Sequence, residues 1–328
     1  MKNNIATIMI NHNEQIQKAA DIIRNGGAVA FPTETVYGLG ANGLNEKAAA
    51  RIFEIKKRPF FDPLILHIGG KEWTGELAID VPAPAQKLID RFWPGPLTVV
   101  LPKKSAVPDI ITSGLPGVAI RMPSNDIALQ LIALAGVPVA APSANLFGAV
   151  SPTTAEHVRE QLGANVEMII DGGMCTVGVE STIVSFMTDA PMLLRPGGIT
   201  IEEIEEAIGE IIIPKHDEFV NQSPGRNDSH YATKTPLFLV DDVDSIDKNV
   251  NAGLLTAALI NPKTLSPNIT KIECLSTTGD LREAACNLFA AMRRLDASGV
   301  DMIAALPVPD TGLGAAINDR LYRASRKR

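Results

Sequence analysis

Cysteine is scarce. The 328 residues hold three, Cys175, Cys274 and Cys286, far apart and odd in number. That excludes a disulfide framework and points to a reducing compartment, the cytoplasm. No C-x-x-C occurs and the five histidines are scattered, so no zinc pattern is present and no metal-ligating residue is assigned. Long apolar runs are missing too. The nearest, residues 127–141, is broken by Gln130, Gly136 and Pro138 and falls short of the roughly 18 uninterrupted residues a membrane span needs. The first residues, MKNNIATIMINHNEQ, lack a charged stretch followed by an apolar one, so no secretory leader and no membrane partner are expected. Aromatic residues make up 5% of the chain, too few for rows of base-stacking platforms. Positive charge is not in excess either: the net charge is −7, so direct tRNA binding is expected to be weak or absent.

What is present is the balance of an ordinary globular protein, 45% apolar and 20% charged, with a length that suits about two domains. The negative charge lies in residues 1–211, with 16 Lys+Arg against 23 Asp+Glu; the remainder is neutral. Within that acidic part the cluster Arg51, Lys56, Lys57, Arg58 stands out, although a basic cluster on a helix is commonly a solvated face. Near 212–235 the apolar Ile211-Ile212-Ile213 gives way to a Pro-, Gly-, Asn- and Ser-rich stretch with neither helical nor alternating period. The expected division is therefore 1–211, a linker or lid over 212–235, and 236–328.

Short apolar runs alternate with helical patterns in the first part. Strands are expected over 28–31, 64–68, 97–101, 118–121, 137–141, 168–171, 182–186 and 192–195. Helices are expected over 85–92, 127–135, 154–162 and 201–208. Asn45 caps a further helix, whose apolar Ala48, Ala49, Ile52, Phe53 and Ile55 follow three-to-four spacing up to Pro59. The late run of consecutive strands argues for an α/β fold with a mixed sheet rather than a doubly wound one. The second part reads as a small Rossmann-like α/β unit: strands near 237–240, 254–259, 272–275 and 302–305, a long helix over 280–297 and a final helix.

No phosphate-binding G-x-x-x-x-G-K-[ST], no strand-linked G-x-G-x-x-G and no G-x-S-x-G is present. Instead, polar segments recur where apolar strands stop. They bring Lys56, Arg58, Arg121 and Arg195 together with hydroxyls at Thr33, Thr35, Ser143, Ser151, Ser181 and Thr182. Ligands gather at strand ends in α/β sheets, and four cations from separate segments converging there suit an anionic ligand. Each hydroxyl taken alone more often caps a helix or closes a turn, as Thr153 or Thr154 would for the helix that follows. The tail residues Arg320, Arg323, Arg326, Lys327 and Arg328 read as a solvated helix end, with cations near its C-terminal dipole.

The segments PTETVYGLG (32–40), KKRP (56–59), PLILH (63–67), RFWPGPLT (91–98), AIRMP (119–123), APSAN-x-x-G-x-x-SPT (141–153), GVESTIV (178–184) and LLRPGGI (193–199), in that order, resemble the YrdC-like family over about residues 15–211. SPG and HYA within 223–232, with the extra C-terminal part, resemble the long two-domain form of the threonylcarbamoyl-AMP synthases. The resemblance implies a YrdC-like twisted mixed sheet with flanking helices, a large basic cavity, and a Rossmann-like C-terminal domain joined by a closing loop. It implies synthesis of threonylcarbamoyl-AMP and pyrophosphate from L-threonine, bicarbonate and ATP with Mg²⁺. The product would go to a separate tRNA threonylcarbamoyl transferase complex that modifies tRNA beside the anticodon.

Matched motif by motif, the resemblance places L-threonine at Thr35, His67, Arg121, Ser181 and the backbone of Ala141. It places ATP at Arg58, Asp62, the backbone near Gly117, Ser143, Ser151, Arg195 and Tyr231, with Lys56 and Arg58 as catalytic cations. Three departures stand out. Asp62 replaces a common Asn, either helping to hold Mg²⁺ or turning outward, and Asn125 stands where His is common. The lid reads Arg226-Asn227-Asp228-Ser229 where relatives carry a more basic, aromatic stretch. An RNA-binding module and a carbamoylase acting on another small amino acid remain open alternatives.

Overall fold

The computed structural model describes residues 2–214, 230–257 and 265–326, and of residues 2–12 only the backbone. The expectations for the lid 226–229 and for Lys327 and Arg328 lie outside the described residues. Among the described residues, thirteen strands form two sheets.

The larger sheet contains β1 (Val29–Phe31), β2 (Gly38–Asn42), β3 (Ile65–His67), β4 (Leu97–Pro102), β5 (Gly117–Arg121), β6 (Val139–Ala140), β7 (Met168–Ile169), β8 (Thr182–Ser185) and β9 (Met192–Arg195). Their order is β7-β1-β2-β6-β3-β5-β4-β8-β9, with parallel and antiparallel ladders interleaved, the mixed α/β arrangement that the run of late strands implies. Helices α1 (Lys2–Arg24), α2 (Glu46–Lys56), α3 (Thr74–Leu77), α4 (Ala83–Phe92), α5 (Asp109–Thr112), α6 (Asp126–Ala135), α7 (Ala155–Gln161) and α8 (Ile201–Ile208) flank it. One core gathers α2, α4 and α8 over the strands; another packs α1 and α6 on β1. The caps follow the side chains. Asn45 accepts from Lys47 N at 3.0 Å, Thr154 accepts from His157 N at 3.3 Å, and Thr200 with Glu203 forms a reciprocal capping box.

Besides the one-turn helices α3 and α5, two elements were not anticipated. α1 buries Ile16, Ala19, Ala20 and Ile23, a helical spacing whose two alanines carry little hydrophobic signal. β2 is glycine-rich and shows no period of its own. It forms because its neighbours need room: a Cβ at Gly40 would stand 2.6 Å from Phe31 Cε1 and 2.7 Å from a Val139 methyl.

The smaller sheet contains β10 (Leu237–Leu239), β11 (Ala252–Thr256), β12 (Ile269–Cys274) and β13 (Met302–Ala305), ordered β10-β13-β11-β12 and parallel throughout. Helices α9 (Leu281–Asp296) and α10 (Gly314–Ser325) cover it. Its core does not stop at the unit's edge. Val36, Val150 and Val179 of the larger unit join Leu288, Phe289, Met292 and Ile317 in one apolar cluster around Tyr231. Burial of apolar surface at roughly 25 cal/mol per Å² therefore couples the two units.

Gly178 marks one close approach. Its φ is +78°, and an added Cβ would sit 2.6 Å from the Ala285 carbonyl oxygen on α9 and against the Cys286 backbone. Gly178→Ala is expected to destabilise the chain by about 2 kcal/mol or more, read by urea unfolding. A loss within experimental error would show that the two units are not docked this tightly.

Candidate active site

Strand register builds the floor of the site. His67 is directly paired with Arg121, Arg121 with Thr98, Thr98 with Ile183, and Ile183 with Arg195. Directly paired residues share a face, so one row across β3, β5, β4, β8 and β9 brings an imidazole, two guanidiniums and a hydroxyl to one side of the sheet. Further along the same face, Ile65, Val100, Ala119, Ile183 and Leu194 form a small apolar cluster that shuts water out from below.

Loops supply the walls. After β1, Thr33 and Thr35 exchange a hydroxyl hydrogen bond of 2.8 Å, and Thr33 donates to the Val36 carbonyl at 2.6 Å, a self-closing turn. At the end of α2, Lys57 adopts a left-handed conformation (φ 53°). That residue turns the chain, so the two flanking cations, Lys56 and Arg58, are both buried. The basic cluster thus splits: Arg51 and Lys57 are exposed, Lys56 and Arg58 are not.

A hollow results, in which about 50 Å³ is wide enough to centre a water molecule. Nine of the expected residues line it: Thr35, Arg58, His67, Arg121, Ala141, Ser143, Ser181, Arg195 and Tyr231. Larger depressions exist elsewhere but lack this convergence. One of about 490 Å³ is mostly apolar and lies between β9, α8 and α10.

Each guanidinium is held from behind. Arg121 Nη2 donates to Glu34 Oε1 at 2.7 Å. Arg58 pairs with Asp62 at 2.9 Å and donates to the Asp62 and Pro63 carbonyls. Arg195 donates through Nε and Nη2 to the Ser181 carbonyl at 3.1 and 3.0 Å, and Ser181 Oγ bonds Thr98 Oγ1 at 2.7 Å. Among the described residues, some buried atoms have no hydrogen-bond partner: Arg121 Nε, Glu34 Oε2, His230 Nδ1 and Tyr231 Oη. Buried polar groups left unpaired cost free energy, and in a hollow they mark where ligand atoms fit.

Four expected residues stand outside the lining. Lys56 donates to the Ser143 carbonyl and, at 2.5 Å, to the Asn145 carbonyl, so its ammonium clamps the loop carrying Ser143 instead of facing the hollow. It borders a separate depression with Lys57, Lys234 and Arg293. Gly117 begins β5, four residues from Arg121 and roughly 13 Å away, paired with Pro102. Ser151 is fully buried and donates to Glu180 Oε1 at 2.6 Å. Asp62 does not turn outward; burial raises its pKa while Arg58 opposes that rise. Asn125, at the position where His is common, caps α6 by accepting from Ile127 N.

Other residues were missed as site groups: Glu34, Glu180, Thr98 and, on the last helix, Arg320; His230, in the HYA segment, lines the hollow beside Tyr231. Glu180 lines the hollow and receives Arg320 Nε at 2.9 Å. Burial pushes its carboxyl up, but Arg320, then Arg195 and the Ser151 hydroxyl, outweigh that and hold it at about 2. The solvated tail is corrected here: Arg320 is 0% and Arg323 4% exposed, because Glu180 and Asp319 draw them inward. The signal available was a carboxylate just ahead of an apolar strand (Val179-Glu180-Ser181), which needs a buried cation once it is buried.

The family described as telomere recombination, of Sua5, YciO and YrdC proteins, matches residues 21–197, and the threonylcarbamoyl-AMP synthase C-terminal domain matches 199–326. A Pyrococcus abyssi threonylcarbamoyl-AMP synthase is 45% identical, over 97% of this chain and 98% of its own. The chain belongs to the threonylcarbamoyl-AMP synthase family. A Bacillus subtilis member is 42% identical over 96% of this chain and 94% of its own. The crystal structure of Pyrococcus abyssi Sua5 complexed with L-threonine superposes with a TM-score of 0.89 at 44% identity, covering 95% of this chain and 94% of the other.

The buried imidazoles make this synthase fold acid-sensitive. Burial, then Arg121, pulls His67 down to about 3; burial, with Arg58, Lys56 and Arg195 outweighing Glu180, takes His230 to about 3. The unfolded chain takes up protons below about pH 6.5 that the folded one refuses, so stability falls as pH drops from 6.5 towards 3. Each histidine contributes a slope of up to about 1.4 kcal/mol per pH unit. Urea unfolding from pH 7 to 5 is expected to show that decline, shallower in His230→Asn; a flat profile would contradict neutral, buried imidazoles.

Proposed function

We propose that the hollow joins L-threonine, bicarbonate and ATP into threonylcarbamoyl-AMP and pyrophosphate. The carrying observation is the convergence of Arg58, Arg121 and Arg195 on one buried hollow. It occurs in a chain 45% identical, along nearly all its length, to a threonylcarbamoyl-AMP synthase. Residues 1–211 form the catalytic domain and 236–328 the C-terminal domain in this reading.

L-threonine sits on the strand row. Its carboxylate meets Arg121, whose Nε is unpaired, and Thr35, Ser181 and the Ala141 backbone receive the rest. His67 Nδ1 faces the Ile65 carbonyl at 3.3 Å. A carbonyl only accepts, so Nδ1 carries the proton and Nε2 keeps a lone pair for substrate. The nucleotide takes the other side, against Arg58, Ser143, Arg195 and Tyr231, with Asp62 holding Arg58 and Lys56 holding the Ser143 loop.

The neutral threonine amine attacks bicarbonate, water leaves, and a carbamate forms. A carbamate oxygen then attacks the α-phosphorus, and the pyrophosphate departs with the electron pair of the broken bond. No protein nucleophile is required. The difficulty is repulsion: two unit charges 4 Å apart cost roughly 4 kcal/mol at an effective dielectric near 20. Carboxylate, carbamate and phosphates add several such terms, so positioning and cationic stabilisation carry catalysis. Mg²⁺ enters as the nucleotide's own counterion. Among the described residues no group of three His, Cys, Asp or Glu could hold a metal, and Asp62 is engaged by Arg58.

The cations are inside, not on a surface: Arg58, Arg121 and Arg195 are at most 6% exposed, which disfavours an RNA-binding module. The product is an activated carbamoyl donor, which suits hand-over to a separate tRNA threonylcarbamoyl transferase complex. Three unpaired cysteines suit the cytoplasm.

Purified full chain with ATP, Mg²⁺ and bicarbonate is expected to release pyrophosphate only when L-threonine is added, and not when bicarbonate is withheld. Release without either substrate would leave a generic ATP hydrolase. Arg58→Ala is expected to lower kcat/KM by about 30- to 1,000-fold, as loss of a charge-stabilising donor does. Near-normal release would remove Arg58 from the reaction.

A further inference from the structure

The smaller unit sends one charged side chain into the back of the hollow. Arg320 lies mid-way along α10 and is completely buried. It crosses the boundary between the units: Nε donates to Glu180 Oε2 at 2.9 Å and Nη1 to the Pro196 carbonyl at 2.7 Å. Nη1 also donates to Asp319 Oδ2 at 2.9 Å. Its guanidinium carbon stands 5.6 Å from the centroid of the Tyr231 ring, within cation–π range. Glu180 and Tyr231 both line the hollow, and Glu180 Oε1 is taken by Ser151. The Tyr231 ring also stacks on Phe289 of α9, 5.3 Å between centroids. Beyond Tyr231 the chain bonds the larger unit, Ala232 N donating to the Gly148 carbonyl at 2.8 Å.

We propose that Arg320 is a positioning residue of the active site, fixing Glu180 and Tyr231 together as one wall of the hollow. This rests on the synthase reading and deepens it by giving the C-terminal unit a part in the reaction. The physical logic is counterion placement. A buried carboxylate such as Glu180 needs a buried cation, and the larger unit's own Arg195 spends its Nε and Nη2 donors on the Ser181 carbonyl, which leaves Arg320 to bond the carboxylate directly. With Arg320 in place, Glu180 keeps one geometry and the Tyr231 ring is held between a cation and Phe289. A closed wall keeps water from the carbamate until the α-phosphorus is attacked. Arg320 touches neither His67 nor Arg121, so its loss falls on the chemical step more than on threonine binding.

The test compares wild type, Arg320→Met and Arg320→Met/Glu180→Gln as full chains. The double variant removes the stranded carboxylate and keeps the comparison usable if the single variant folds poorly. Threonine-dependent pyrophosphate release by Arg320→Met is expected to show kcat lower by about tenfold or more, with KM for L-threonine moved by less than about threefold. Amide exchange at Tyr231 and Ala232 is expected to quicken by about tenfold while that of 288–292 in α9 stays as in wild type. The double variant is expected to lose no more activity than the single one, because the two residues act as a pair. Wild-type kcat with unchanged exchange at 231–232, or exchange raised equally along α9, would overturn the proposal. Should wild type release pyrophosphate without threonine, the synthase reading fails, and the exchange comparison still decides whether Arg320 fixes the wall.

Discussion

The rest of the structure depends on burying more positive than negative charge in one place. Among the described residues six cations are buried (Lys56, Arg58, Arg121, Arg195, Arg320 and Arg323) against four carboxylates (Glu34, Asp62, Glu180 and Asp319). This happens inside a chain whose overall charge is −7. Each buried charge would cost several kcal/mol if left alone. The fold answers by pairing Arg58 with Asp62, Arg121 with Glu34, Arg320 with Glu180 and Arg323 with Asp319. Backbone carbonyls absorb Lys56 and Arg195. In the proposed reaction, the cations that line the hollow offset the charge of the anionic substrates.

That arrangement shows what the second unit adds. The register of β3, β5, β4, β8 and β9 sets His67, Arg121, Thr98 and Arg195 in one row, a rigid base that loops alone would not provide. A sheet face, however, is open. The apolar cluster joining Val36, Val150 and Val179 to α9 and α10 closes it and brings Arg320 to Glu180. Stability and function therefore share the same contacts: the docking that buries Phe289 and Leu288 also places the cation that Glu180 needs.

Much of this was readable in the chain. The segments carrying Arg58 after a helix, and His67, Arg121, Ser143, Ser181 and Arg195 at strand ends, could be located because short apolar runs stop at Pro, Gly or hydroxyl residues. Their convergence could be argued because ligands gather at such ends. What escaped reading has physical causes. β2 has no side-chain period, since glycines form it to make room for Phe31 and Val139. The basic cluster 56–58 gave no sign that Lys57 would take a left-handed turn and send its neighbours inward, nor that Lys56 would clamp a loop. Arg320 looked like a tail residue on a solvated helix end. Its partner across the boundary, Glu180, lies 140 residues away, and no local pattern links them. Gly117 was placed by resemblance alone, and strand length puts it at the far end of β5.

The central claim is that one hollow holds both reactants with their charges matched by Arg58, Arg121 and Arg195. A crystal structure of the full chain with L-threonine and a non-hydrolysable ATP analogue tests it most directly. The expected result is the threonine carboxylate on Arg121 and the phosphates on Arg58 and Arg195, with threonine's nitrogen and the α-phosphorus sharing that hollow. Threonine and nucleotide bound in separate depressions, or phosphates lying away from Arg58 and Arg195, would contradict it.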